Sequence, residues 1–159
     1  MTQGTMEIEK LMEDVRKGFG VERIKAAKDL GKTGDKRAVG ALVEATKDSN
    51  WAVRSNAAFS LAEIGATEAV SSVISLLGDE EERVRKSAAK ALGLLGSRIA
   101  VRPLMSALKD SSPAVRKSAA RSLGQLGDPI AAESLSLMTN DPDISVVTSA
   151  KQALETISR

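Results

Sequence analysis

The sequence contains no cysteine and no histidine. The first absence excludes disulfides, zinc–thiolate centres and thiol nucleophiles, and makes a reducing compartment the expected setting. The second removes the commonest general base and the commonest metal ligand together. Aromatic residues are nearly missing too, with one Trp, two Phe and no Tyr, which is poor material for an aromatic-lined ligand pocket. No apolar run approaches the ~20 residues that span a bilayer, and the opening MTQGTMEIEKLMEDV has no signal-peptide core. A cytoplasmic protein that needs no cofactor and no membrane is therefore expected. Neither sign of charge dominates: 23 basic and 21 acidic residues leave a net +2, so total charge argues neither for nor against nucleic acid.

What is present is a repeat. Gly34, Gly65, Gly96 and Gly127 stand 31 residues apart, as do Asp48, Asp79, Asp110 and Asp141. The same interval separates Arg23, Arg54, Arg85 and Arg116, and the leucines from Leu30 through Leu61, Leu92 and Leu123 to Leu154. This period divides a single domain, 1–159, into five units at about 4–34, 35–65, 66–96, 97–127 and 128–158. Each unit reads as two helices. The first is short and amphipathic, as in AVGALVEATK from Ala38 or AVSSVISLL from Ala69, with apolar residues at i, i+3 and i+4. Ser112 before Pro113, and Asp143, have the chemistry of N-caps for the second helix. Gly65, Gly96 and Gly127 fall where a left-handed C-cap belongs.

A helical wheel at 100° per residue gives each face of the second helix a task. Val53, Ala57, Leu61 and Ile64 cluster toward the first helix. Small residues flank them: Ala58 with Ala62, Ala89 with Gly93, and Ala120 with Gly124. Small side chains admit a neighbouring backbone, so this flank is expected to face the following unit. In the last unit the same columns hold Lys151 and Glu155. On the opposite flank Ser60, Ala91, Ser122 and Ala153 are small, whereas the first unit has Asp29. Polar residues on the outward side of each terminal unit are what capping repeats need, which predicts an array of five.

The pattern D-x-x-x-x-V-R-x-x-A-A-x-A-L-x-x-[IL]-G, carried by the three central units, resembles HEAT-like repeats of the short phycobilisome-lyase type. The first unit departs from it at Lys17 and Glu22, and the last at Val147 and Ser158. The resemblance implies an all-α fold, a right-handed α-solenoid of five stacked two-helix HEAT-like repeats.

The recurring acids and arginines admit two readings, a catalytic or anion-binding row or a structural device. Each Arg follows its Asp by six residues, near the turn between the helices, with its stem partly covered on the wheel. A ladder in which Asp48, Asp79 and Asp110 hydrogen-bond Arg54, Arg85 and Arg116 from turn to turn explains why both columns recur together. The run Asp79 to Glu82 precedes a helix, where negative charge complements the dipole. It lacks the alternation and the glycine of a calcium loop. No metal site is expected.

Function is then sought in the columns that vary and face outward, those of Ala52, Ser55, Asn56, Phe59 and Glu63. The Phe59 column reads Lys28, Phe59, Lys90, Arg121, Gln152, and the Ser55 column reads Ile24, Ser55, Lys86, Lys117, Thr148. Arg83, Lys25 and Lys32 lie beside them, and Glu63 is the one acid. Solvated helix faces mix signs, whereas this ridge segregates one. Second helices line the concave side of such solenoids, so Lys28, Phe59, Lys86, Lys90, Lys117 and Arg121 are the expected partner-binding residues, with Phe59 as an apolar anchor. Trp51 either packs over the inter-helix turn or joins the interface. Packed helices stand ~8–10 Å apart, close to three residues of an extended peptide at about 3.3 Å each, whereas phosphates along one DNA strand repeat at about 3.4 Å. The expected role is a monomeric, non-enzymatic scaffold whose basic concave face binds an acidic protein segment or surface, with nucleic acid second. The family resemblance supplies the alternative of a phycobilin-lyase-like or chaperone-like subunit acting on a partner protein. Catalysis is not expected. No nucleophile–base pair can be assembled without histidine, and the deoxyhypusine hydroxylases, which share HEAT-like repeats, hold their di-iron site with His–Glu pairs this chain cannot supply.

Overall fold

The computed structural model describes residues 3–158. Ten α-helices follow one another in pairs: α1 (Gln3–Lys17) with α2 (Gly20–Thr33), α3 (Val39–Ala45) with α4 (Trp51–Ile64), and α5 (Val70–Ser75) with α6 (Glu82–Leu95). Then come α7 (Val101–Ala107) with α8 (Pro113–Leu126), and α9 (Ala132–Leu137) with α10 (Ile144–Ile157). Among the described residues there is no strand. After α1 the first helices are shorter than the apolar pattern suggests, because each is entered through a 3₁₀ turn such as Lys36–Ala38 or Arg98–Ala100. The tighter turn lets Ala38, Ala69, Ala100 and Ala131 sit buried at the joint.

The boundaries follow from local chemistry. Asn50, Ser112 and Asp143 accept the N–H of Ala52, Ala114 and Ser145 at 2.9, 3.2 and 2.8 Å, each satisfying one donor that the first turn leaves free. Glu81 caps α6 by position only. At the other end Gly65 takes φ = 70°, where a Cβ would crowd the following carbonyl, and Gly34, Gly96 and Gly127 do likewise.

The core is one stripe running through all the pairs. Leu30, Leu61, Leu92 and Leu123 are buried, packed with Leu42, Val73, Leu104 and Leu135 of the first helices. Truncating one of these central leucines to alanine is worth about 2–5 kcal/mol. Leu154, the last of its column, is half-buried.

Neighbouring pairs meet mainly through their second helices. Each of α2, α4, α6, α8 and α10 packs along the next, whereas successive first helices beyond α1 and α3 scarcely touch. Helices that converge on one side and splay on the other make a curved stack, with the second helices on its inner face. The small-residue flank makes the convergence feasible. A Cβ added to Gly124 would lie 2.8 Å from Ala153 Cα, and one on Gly93 would lie 2.5 Å from Ser122 Oγ. Serines of the opposite flank close the seam, Ser60 donating to the Ala27 carbonyl and Ser122 to the Ala89 carbonyl, each at 2.7 Å. The small columns therefore face the following pair, as the wheel predicts.

Candidate partner-binding groove

The repeated Arg and Asp side chains bond to each other along the array. Arg54 Nε and Nη2 donate to Asp79 Oδ2 and Oδ1 at 2.7 and 2.8 Å. Arg85 holds Asp110 at 2.8 and 3.1 Å, Arg116 holds Asp141 at 2.8 and 2.9 Å, and Arg23 holds Asp48 at 2.8 and 3.2 Å. The remaining Nη1 of Arg54, Arg85 and Arg116 donates backwards to the carbonyl of Asp48, Asp79 and Asp110 at 2.9 Å. Each aspartate also accepts an N–H two residues on, from Asn50, Glu81, Ser112 and Asp143. Burial pushes the Asp79 and Asp110 carboxyls up, but the hydrogen bonds and charges of the arginines outweigh it and hold both below the ordinary value. The Arg116 hydrogen bond does the same for Asp141. Arg54 is only 8% exposed. Most of the hydrogen-bonding capacity of these groups is thus spent within the fold.

The basic ridge is different. Lys86, Lys90, Lys117 and Arg121 line a single groove of about 420 Å³ on the inner face, together with Phe59. None of the four cations lies within ion-pairing distance of a carboxylate among the described residues. Four like charges around one concavity whose lining holds no carboxylate favour an anionic partner, although Lys117 also borders a second depression that Glu82 and Asp143 line. Lys117 and Arg121 also form the wall of the adjoining depression toward α10, so the basic surface continues across α8.

The wheel misplaces three details. Lys28 is exposed on α2 but does not reach the groove, since α4 with Phe59 intervenes and Asp29 carries part of its field. Lys32, beside the ridge, is neutralised by Asp29 at 2.8 Å. Ala52, Ser55 and Asn56 of α4 are half-buried instead of free, because the second helices converge here: Ser55 Oγ lies 2.7 Å from Ser87 Oγ of the next pair. Lys86 is half-buried for the same reason, its stem covered and its charge in the groove.

Five groove residues were not among those expected from the sequence: Leu94, Gln125, Ala114, Ser118 and Ser122. Two of them, Leu94, which is 54% exposed, and Gln125, line it along with Phe59, which is 40% exposed. Both stand in the Glu63 column, which the wheel turns outward, so the signal was a leucine at a position built for a polar residue. Trp51 has a contact of its own: the Arg83 guanidinium of the next pair lies 4.9 Å from its ring centre. This cation–π contact spans the seam between α4 and α6. No described helix is long and apolar enough to cross a membrane.

Comparison with known proteins agrees with this architecture. No curated protein matches the chain in sequence. Among solved structures, the complex of CpcE and CpcF of phycocyanin lyase from Nostoc sp. PCC7120 is similar at a TM-score of 0.86 and 24% identity. That match covers 95% of this chain and 65% of the other, so this chain spans just under two thirds of its relative's length. A designed armadillo repeat protein in complex with the peptide (KR)4 is similar at a TM-score of 0.74 and 18% identity, over 92% of this chain and 80% of that one. Human deoxyhypusine hydroxylase shares the fold more distantly, at a TM-score of 0.52 and 17% identity over 95% and 84% of the two chains. At such identities the likeness concerns the fold. The family model described as HEAT repeats matches residues 8–84 and 70–155, nearly the whole stack of helix pairs, and the chain belongs to the HEAT repeat family.

Proposed function

We propose that the protein is a non-enzymatic scaffold that grips an acidic protein segment in the basic groove of its inner face. The observation that carries this reading is the gathering of Lys86, Lys90, Lys117 and Arg121, none of them ion-paired, around one concavity. A surface that only kept a helix solvated would mix carboxylates among these cations. The designed armadillo protein was solved with a charged peptide, (KR)4, which supports the view that a stack of this shape can hold a charged peptide. Here the sign would be reversed.

The test is to replace Lys86, Lys90, Lys117 and Arg121 by Glu and titrate fluorescent poly-glutamate peptides and DNA at several salt concentrations. The expected outcome is peptide affinity lowered by about a hundredfold or more, with helicity and melting nearly unchanged. Affinity for acidic peptides unaffected by the reversal would refute the assignment. A steep salt slope with DNA and no peptide binding would give the groove to nucleic acid instead.

A second reading, a lyase-like or chaperone-like subunit acting on a partner protein, is favoured by the 0.86 TM-score to the CpcE–CpcF complex. A visible absorption shift on mixing with a tetrapyrrole would support it.

A further inference from the structure

The groove is not uniformly basic, and its residues form a grid. One turn of each second helix separates Ser55, Phe59 and Glu63 on α4, Lys86, Lys90 and Leu94 on α6, and Lys117, Arg121 and Gln125 on α8. Across the helices the middle row therefore reads Phe59, Lys90, Arg121, flanked by the row of Lys86 and Lys117. The three helices offer in order an apolar station, a basic station and a second basic station. Leu94 widens the apolar side of the middle one.

Adjacent stations are separated by the helix-packing distance, about 8–10 Å. A bound chain must return a side chain to the same face at that interval. A β-strand does not, because its side chains alternate, and every third one points away from the face of the first. A polyproline II segment does: three residues complete a turn and rise about 9.3 Å, since each contributes about 3.1 Å. This replaces the simple match of rise per residue expected from sequence with a conformation that also satisfies side-chain direction.

Resting on the acidic-segment reading above, we infer that the groove recognises one side chain per helix pair at three-residue intervals. The ligand is an acidic segment with a large apolar residue, then an acidic residue three positions away, then another three positions beyond, in either chain direction. The apolar residue meets Phe59, the first carboxylate lies between Lys86 and Lys90, and the second between Lys117 and Arg121. Two cations one turn apart can flank a single carboxylate, and the paired contact gives it a defined place instead of a diffuse attraction. The apolar contact adds affinity that salt does not screen.

The experiment measures fluorescence anisotropy of Gly/Ser/Pro-based peptides of one composition, carrying Leu, Glu and Glu at spacings of two, three or four, and an all-acidic control without Leu. Spacing three is expected to bind about tenfold more tightly than the other two. Phe59→Ala is expected to weaken the spacing-three peptide by about fivefold to tenfold and to leave the all-acidic control within twofold. Phe59→Leu, which keeps the apolar surface, is expected to retain most of the affinity, and circular dichroism melts of both variants check that the fold is intact. Equal binding at all spacings, or an equal effect of Phe59→Ala on both peptide types, overturns the three-residue register while leaving acidic-segment binding standing. No binding of any acidic peptide at low salt overturns both.

Discussion

Arg54 reaches in two directions at once: its Nε and Nη2 hold the Asp79 carboxylate of the next turn, while its Nη1 holds the Asp48 carbonyl of its own. One planar side chain thus joins two helix pairs at their inter-helix turns. The guanidinium fork is suited to this, since it is rigid and carries five donors.

Arg54→Ala is expected to cost about 2–4 kcal/mol, because it strands the Asp79 carboxylate in a mostly covered site with the Glu81 N–H as its remaining partner. Arg54→Lys should recover only part of the loss, since one ammonium cannot span both turns. Arg23→Ala should cost less, its pair with Asp48 being more open to water. Urea denaturation of the three variants measures this order.

Acid should loosen the ladder in a defined window. Asp79, Asp110 and Asp141 titrate below the ordinary value of 3.8 in the folded chain. The unfolded chain therefore binds more protons at acid pH, so the stabilisation is complete above that value and is lost as pH falls through the folded values. With no histidine in the chain, stability should stay level between about pH 5.5 and 7. Thermal melts across pH 2 to 7 check both the plateau and the fall.

Two glycines in helices should respond oppositely to alanine. At Gly124 the new methyl meets the backbone of α10, with Ala153 Cα 2.8 Å away. Overpacking of about 1–3 kcal/mol then outweighs the ~1 kcal/mol gain in helix propensity. Net destabilisation is expected, and Ala153→Gly in the same chain should relieve part of it.

Gly40, on α3, has open space where a Cβ would go. Gly40→Ala should therefore stabilise by about 0.5–1 kcal/mol through the unfolded state alone. A higher urea midpoint with an unchanged slope is the expected readout.

Lys90→Glu separates binding from folding. Lys90 stands one turn from Lys86 and level with Arg121, so reversing its sign turns repulsions into attractions. The melting temperature is expected to rise by about 1–2 °C while affinity for acidic peptide falls. Loss of binding with a lowered melting temperature would mark Lys90 as structural.

Much of this was legible from periodicity. Identical columns 31 residues apart must occupy equivalent places, so caps, core leucines and the small-residue seam could be assigned from the chain alone. Lys28 marks the limit. It shares a column with Lys90 and Arg121, and a wheel cannot distinguish them. Lys28 lies beyond α4 and beside Asp29, whereas the other two share one groove. Leu94 was visible as an apolar residue on an outward column, but only the apposition of α4, α6 and α8 makes it a neighbour of Phe59.

The sequence by itself determined the repeat, the two helices in each unit, where the second helices stop, and which flank meets the next unit, because all of these depend on residues close along the chain or one period apart. Tertiary structure alone decided how strongly the second helices converge, hence which outward columns are covered, which lysines find their own carboxylates and which are left facing a common groove. Those outcomes depend on the angle between neighbouring pairs. That angle is set by many small contacts at the seam acting together, and no single column records it.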